Sequence, residues 1–298
     1  MRNALTIDLE DWYHPELVRH RVPGARSEGS GTALATLEGQ YQTQIERSTQ
    51  MLLGVLRERK TRATFFVIGE IAERQPGIIE AILAEGHELG CHGFSHRPLW
   101  EMSPDEFRLE LQQFARIIRD IAPGVTVTGF RAPTFSLDNR TRWALHVLAE
   151  FGYDYDSSVF PLQTPLYGVN GCPLTPYRPS PDNVAVAKAG GPLLEFPMSV
   201  WAWGRLRLPV CGGFYLRALP LRLVRSCLQQ INRQRPFVIY IHPWETYPGT
   251  PRLPLPWGSR FATYYNIGKM LQRFVTILET FAFAPMRAVL EEMGELSG

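Results

Sequence analysis

Two histidines four residues apart, His92 and His96, follow the short apolar run Leu89-Gly90-Cys91. If the chain turns helically past such a run, side chains at i and i+4 share a face and can grip one cation. Neutral imidazole is the commonest ligand for zinc and similar ions. An acidic cluster, Asp8-Leu9-Glu10-Asp11, closes another apolar run, and Arg131, Asp154, Asp156 and His242 also come directly after apolar runs. Two imidazoles and one carboxylate with an open position make the pattern of a hydrolytic zinc site. Such an ion lowers the pKa of its water to about 7 and polarises a carbonyl oxygen. Amide hydrolysis also needs a base for the water proton and an acid for the departing amine. Asp8, the first carboxylate after its strand, is the natural base, and His242 the natural acid. Asp156, or failing it Asp154, is placed to orient His242 and raise its pKa, and Arg131 to keep the base ionised.

These residues must be positioned by the elements before them. Apolar runs read as buried strands at Ala4–Ile7, Ala63–Ile68, His87–Cys91, Val125–Phe130, Tyr153–Asp156, Leu193–Phe196 and Phe237–Ile241. Between them, 3.6-residue periodicity predicts helices over 45–59, 78–84, 104–121, 137–151 and 219–232, with a closing helix over 264–281. Ser103 followed by Pro104 is a strong helix start. Strands alternating with helices imply parallel β/α units. Each polar cluster follows a strand, which puts all of them at one mouth of a β/α barrel, where such folds assemble chemistry. Residues 24–39 read as a polar surface loop. The Pro-, Gly- and Asn-rich stretch from about 160 to 192 reads as a long functional loop. The barrel is expected over 1–250, with 251–298 a C-terminal extension packing on it.

The 298 residues, 45% of them hydrophobic and 20% charged, suffice for a large core. Lys+Arg 31 against Asp+Glu 29, with no basic stripe, argues against nucleic acid. Four scattered cysteines without a CxxC read as buried thiols. The chain enters its first strand at once, with no leader and no membrane-length apolar run, which makes a cytoplasmic location the expectation and leaves room for peripheral attachment to a membrane-bound partner.

The motifs resemble, in order, the five of the polysaccharide deacetylases, carbohydrate esterase family 4, with its NodB-homology domain. Thr6-Ile7-Asp8 with Glu10 and Asp11 resembles the first. His92-Gly93-Phe94-Ser95-His96 resembles the second, with Gly93 where the family often has Ser or Thr. Arg131-Ala132-Pro133, Tyr153-Asp154-Tyr155-Asp156-Ser157 and Tyr240-Ile241-His242 resemble the others. Asp-Leu-Glu-Asp-Trp, Arg-Ala-Pro-Thr-Phe-Ser-Leu, the Gly-Gly-Phe-Tyr-Leu-Arg loop and His-Pro-Trp-Glu are similar to an exosortase- and exopolysaccharide-associated subgroup. The resemblance implies a distorted (β/α) barrel of the NodB type and a divalent ion, most simply zinc, on His92, His96 and either Glu10 or Asp11. It implies catalytic roles for Asp8, His242, Arg131 and Asp156. The substrate would be an N-acetylated glycan, in contact with Trp12, Pro133, Thr134, Phe135, Gly213, Phe214 and Trp244. Trp201, Trp203 and Tyr215 are further aromatic candidates for sugar contact. Two competing readings are a metal-free amidohydrolase of the same fold acting on a small cyclic amide, and a non-catalytic glycan-binding protein. Metal analysis separates the first of these from the metalloenzyme, and a full set of base, ligands, Arg and acid argues against the second.

Overall fold

The computed structural model describes residues 1–21 and 44–296, so the loop expected over 24–39 lies outside the described residues. Twelve strands occur among them: β1 (Asn3–Leu9), β2 (Thr64–Val67), β3 (Glu88–Cys91), β4 (Gly129–Phe130), β5 (Tyr155–Asp156), β6 (Pro179–Ser180), β7 (Asn183–Ala187), β8 (Leu194–Glu195), β9 (Val200–Trp203), β10 (Leu206–Pro209), β11 (Val238–Ile241) and β12 (Phe283–Ala284). The main sheet runs β11-β1-β2-β3-β4-β5-β8, with β12 also on β1, and every pairing in it is parallel. The segment after β8 spans the remaining gap. Val238 N donates to Ser199 Oγ (2.7 Å), and Gly212 bridges Tyr240. The result is an α/β barrel of parallel strands, as the strand–helix alternation predicts, and of the distorted kind that the resemblance implies.

Side-chain parity explains why this sheet carries a site. Leu5, Ile7 and Leu9 of β1 point outward and pack with Phe65, Val67, Ile239 and Ile241 against the helices. Each such burial stabilises by about 1.5–3 kcal/mol. Ala4, Phe66, Tyr155, Val238 and Tyr240 form a separate cluster that fills the barrel. Thr6 and Asp8 share the parity of Ala4, so they enter that interior, and β1 is buried along its whole length.

The helix over Pro104–Ile121 forms as expected. Ser103 Oγ accepts from Glu106 N, the Glu106 carboxylate accepts from Ser103 N, and Phe107, Leu111, Phe114 and Ile118 face the core. Elsewhere the elements are shorter or additional. The strand expected over 125–130 pairs only at Gly129–Phe130. The helix expected from 137 starts at Ala144. Asp138 N donates to Thr141 Oγ1 and Arg140 N to Asp138 Oδ1, a side-chain-bonded turn that outcompetes the first helical turn. The 160–192 excursion contains the β6–β7 hairpin. Residues beyond 250 add a helix over Trp257–Tyr264, the closing helix over Ile267–Thr280, β12 in the main sheet, and a helix over Met286–Glu292. No helix among the described residues is long and apolar enough to cross a membrane.

Candidate metal centre and active-site pocket

His92 and His96 do meet one carboxylate, but not from a helix. After β3 the chain turns at Gly93 (φ +75°), and His96 itself has φ +57°. A positive φ at 93 favours glycine, which accounts for the departure from Ser or Thr there. Buried Glu110, on the helix over Pro104–Ile121, clamps the turn. Its carboxylate accepts from Phe94 N (2.7 Å), Ser95 N (2.8 Å) and Ser95 Oγ (2.5 Å). Nothing in the motif spacing marks Glu110; only its place on the inner face of an amphipathic helix does. Glu110→Ala should cost about 2–3 kcal/mol, the worth of charge-assisted hydrogen bonds. It should also weaken metal binding about 10–100-fold through the loosened His96. Denaturant unfolding and metal titration of the variant check both.

The imidazole nitrogens converge on Glu10. His96 Nε2 lies 3.0 Å and His92 Nε2 3.3 Å from Glu10 Oε1. The ligand atoms of a tetrahedral zinc site, with bonds of about 2.0–2.1 Å, lie about 3.3 Å apart, so this donor set fits one small divalent ion. His92 Nδ1 donates to the Arg131 carbonyl (2.7 Å), which fixes the tautomer and leaves the Nε2 lone pair facing Glu10. Burial lowers the pKa of His96, favouring the neutral form that a metal takes. Burial alone would raise the Glu10 carboxyl, but the His242 and His96 charges facing it outweigh that and hold it well below the usual range.

Asp8 sits beside this centre. Arg131, fully buried over the Phe66 ring, donates from Nη1 to Asp8 Oδ1 (2.6 Å) and Thr6 Oγ1 (2.7 Å). Its Nε and Nη2 donate to Ser157 O and Ser157 Oγ. Asp8 Oδ2 therefore remains on the cavity side, 4.0 Å from His242 Nε2. That nitrogen also lies 3.5 Å from Glu10 Oε1.

The partner of His242 corrects the expectation. His242 Nδ1 lies 2.8 Å from Glu245 Oε2. Glu245 Oε1 in turn accepts from Arg217 Nε (2.9 Å), whose other nitrogens donate to Tyr265 O and Ala262 O. Burial disfavours the imidazolium, but Glu10 and Glu245 outweigh it and hold the His242 pKa well above its ordinary value. Asp156 does not serve this role. It pairs in register with Glu195 on β8, and its Oδ1 accepts from Ser158 Oγ, which in turn accepts from Ala132 N. Burial pushes both carboxyls up, Asp156 to about 6 and Glu195, which also faces the Asp156 charge, well above the usual range, and Ser158 ties Asp156 to the Arg131 loop. Asp154 instead accepts from Arg287 Nη1 (2.6 Å). Both expectations fail because a strand-end address does not say which neighbour a side chain meets.

Asp11 is corrected likewise. Its Oδ1 accepts from Trp12 N and its own N–H donates to His14 Nδ1, so it closes the turn after β1. The convergent group with the histidines is Glu10, not Asp11.

A cavity of about 550 Å³ opens over these groups. Thr134, Phe135, Gly213, Phe214, Tyr215 and Trp244 line it. Thr134 and Phe135 have φ +56° and +49°, consecutive left-handed residues held against the cavity wall, the kind of strain that gathers at functional sites. Thr164, Pro165, Leu166 and Tyr167 of the long excursion form another wall. Trp12 and Pro133 are buried and off the lining; Trp12 packs beside Trp244 from behind. Trp201 and Trp203 lie on the β9–β10 hairpin, which contributes nothing to the cavity. Gly212 (φ +138°) starts the Arg217 helix, and a Cβ there would lie 1.8 Å from Tyr240 O, so only glycine fits.

Residues 29–155 match the model of the polysaccharide deacetylase family, and residues 157–291 match a domain of unknown function, DUF3473. The site straddles both: His92, His96 and Arg131 fall in the first match, Arg217, His242 and Glu245 in the second, and Asp8 and Glu10 precede them. The chain is 35% identical over 97 residues to a peptidoglycan-N-acetylglucosamine deacetylase of Bacillus cereus, covering 32% of this chain and 35% of that protein. It is 38% identical over 85 residues to a chitooligosaccharide deacetylase of Bradyrhizobium sp., covering 28% and 39%. The alignments thus span under two-fifths of these relatives. A polysaccharide deacetylase structure from Pseudomonas aeruginosa PAO1, described there as probable, superposes with a TM-score of 0.61 at 16% identity, covering 99% of this chain and 92% of that one, a likeness of fold.

Proposed function

We propose that this protein is a metal-dependent deacetylase that hydrolyses N-acetyl groups of amino sugars in a polysaccharide or its precursor. The observation that carries this is the convergence of His92 Nε2 and His96 Nε2 on Glu10, with Asp8 Oδ2 and His242 Nε2 at the same cavity. The similarity of residues 29–155 to polysaccharide deacetylases supports it. So do the deacetylase names of the relatives. His92, His96 and Glu10 would hold one divalent ion, zinc by its preference for this donor set. That ion supplies a polarised carbonyl and a water of lowered pKa.

The chain's own groups do the rest. Asp8 Oδ2 takes the proton of the attacking water while Arg131 fixes the other oxygen. His242 Nε2 gives a proton to the amine nitrogen as the C–N bond breaks, so the amine need not leave as an anion. Glu245 orients the imidazole and Trp244, stacked on it at 5.4 Å, keeps water from its face. The Asp-Leu-Glu-Asp-Trp and His-Pro-Trp-Glu stretches support an exopolysaccharide or its precursor as the glycan, with a peripheral link to its assembly system.

Acetate release from N-acetylglucosamine oligomers by zinc-loaded protein tests this reading. Asp8→Asn should retain zinc and lose about 10²–10⁴ of turnover, as a general base does. A variant that loses zinc as well would make Asp8 a ligand, and near-normal turnover would end its role as base.

A further inference from the structure

The helix over Trp257–Tyr264, whose end anchors Arg217 through Ala262 O and Tyr265 O, also forms one wall of the cavity through Gly258, Ser259, Ala262 and Thr263. Its other side exposes large rings at i, i+4 and i+8. Trp257 is 82% exposed, Phe261 39% and Tyr265 42%. Side chains so spaced climb a helix in steps of about 6 Å on one face. Here they touch in series. Trp257 and Phe261 lie nearly parallel (13°) with centroids 5.8 Å apart, and Phe261 meets Tyr265 at 4.7 Å. Phe261 also meets Phe214 at 5.8 Å, and Phe214 lines the cavity. The aromatic row is therefore continuous with the cavity lining. The similarly exposed Trp203 has no such continuity, because its hairpin takes no part in the cavity.

We propose that Trp257, Phe261 and Tyr265 form a shelf on which successive sugar rings of a glycan chain stack as it runs out of the cavity, so that the substrate is an extended oligomer and not a single amino sugar. The proposal rests on the deacetylase reading. Sugar rings present flat C–H faces that pack on aromatic faces, and their hydroxyls stay in water, so a solvent-exposed row of rings suits them. The row is one residue wide and leads into the cavity, as a chain-like ligand requires; a bilayer would need a broad apolar face. Exposure of Trp257 also means that the fold does not depend on its ring.

Calorimetric binding and kcat/KM are to be compared for the N-acetylglucosamine dimer and hexamer on the zinc-loaded protein. The hexamer should bind at least tenfold tighter than the dimer. Trp257→Ala and Phe261→Ala should each lower hexamer affinity about tenfold and leave the dimer unchanged, and Trp257→Phe should restore most of the loss. Equal affinity for the two lengths, or equal losses for both in the variants, would overturn the shelf. Loss of binding to phosphatidylglycerol vesicles in Trp257→Ala, with length dependence intact, would assign the row to a membrane and also overturn it. Length-dependent binding without acetate release from any oligomer would condemn the deacetylase reading and leave the shelf standing.

Discussion

Glu10→Gln should empty the metal centre, lowering affinity for zinc by about 10²–10³, since a structural zinc site draws some 10–16 kcal/mol from a few ligands. The neutral amide keeps the shape of the side chain but loses the charge that both His92 Nε2 and His96 Nε2 face. Asp11→Asn is the matched control. Asp11 holds the turn after β1 through Trp12 N, so its loss should lower the melting temperature with zinc content unchanged. Metal analysis after dialysis reads the difference directly. Full zinc in Glu10→Gln together with loss in Asp11→Asn would reverse the assignment.

How far the sequence reveals this arrangement differs from residue to residue. An extended backbone would put Glu10 on the face of Asp8 and a turn would bring in Asp11, so the sequence leaves the ligand between them. The chain turns directly after β1, with Glu10 N donating to Asp8 O (2.8 Å), and Glu10 is the carboxylate that meets the histidines. The histidine pair is legible from its spacing, but for a different reason than helical geometry. A left-handed turn at Gly93 and His96, clamped by Glu110, brings the rings together, and such a clamp has no local signature. Asp156 shows the opposite failure. Its address at a strand end is right, yet its partner is set by register with Glu195 on β8, a strand 39 residues further on. Sheet order is a non-local property, so neither periodicity nor composition reveals it. The helix over Trp257–Tyr264 is hidden behind Pro254 and Pro256, which read as loop although Pro256 stands at the helix start. Glu245 does carry a local signal. His242-Pro243-Trp244-Glu245 has a glutamate three residues after the strand end and a proline at the first helical position, which marks a capping turn.

That glutamate leads to the other large effect. Glu245→Gln should reduce turnover by about 10² and move the alkaline limb of the pH–rate profile to lower pH. The sign follows from the charge. Glu245 stabilises the imidazolium of His242, so the raised pKa keeps the acid protonated as pH rises, and removing the carboxylate lets the proton leave earlier. Zinc content should stay unchanged, because Glu245 lies behind His242 and not among the convergent ligands. Arg217 sharpens the test. Burial would raise the Glu245 carboxyl, and Arg217 and His242 together hold it below its usual value. Arg217→Met should then leave a buried carboxylate without its cation, destabilise the fold by about 3–5 kcal/mol, and shift the same alkaline limb downward as Glu245 takes up a proton. Arg217→Lys keeps the charge but not the fork that reaches Tyr265 O and Ala262 O, so it should recover the pH limb better than the stability. If His242 only capped its strand, all three variants would lose stability in step while the pH profile stayed in place. A moved limb with retained zinc distinguishes proton donation from capping, and would give the residues matched by the domain of unknown function the acid half of the reaction.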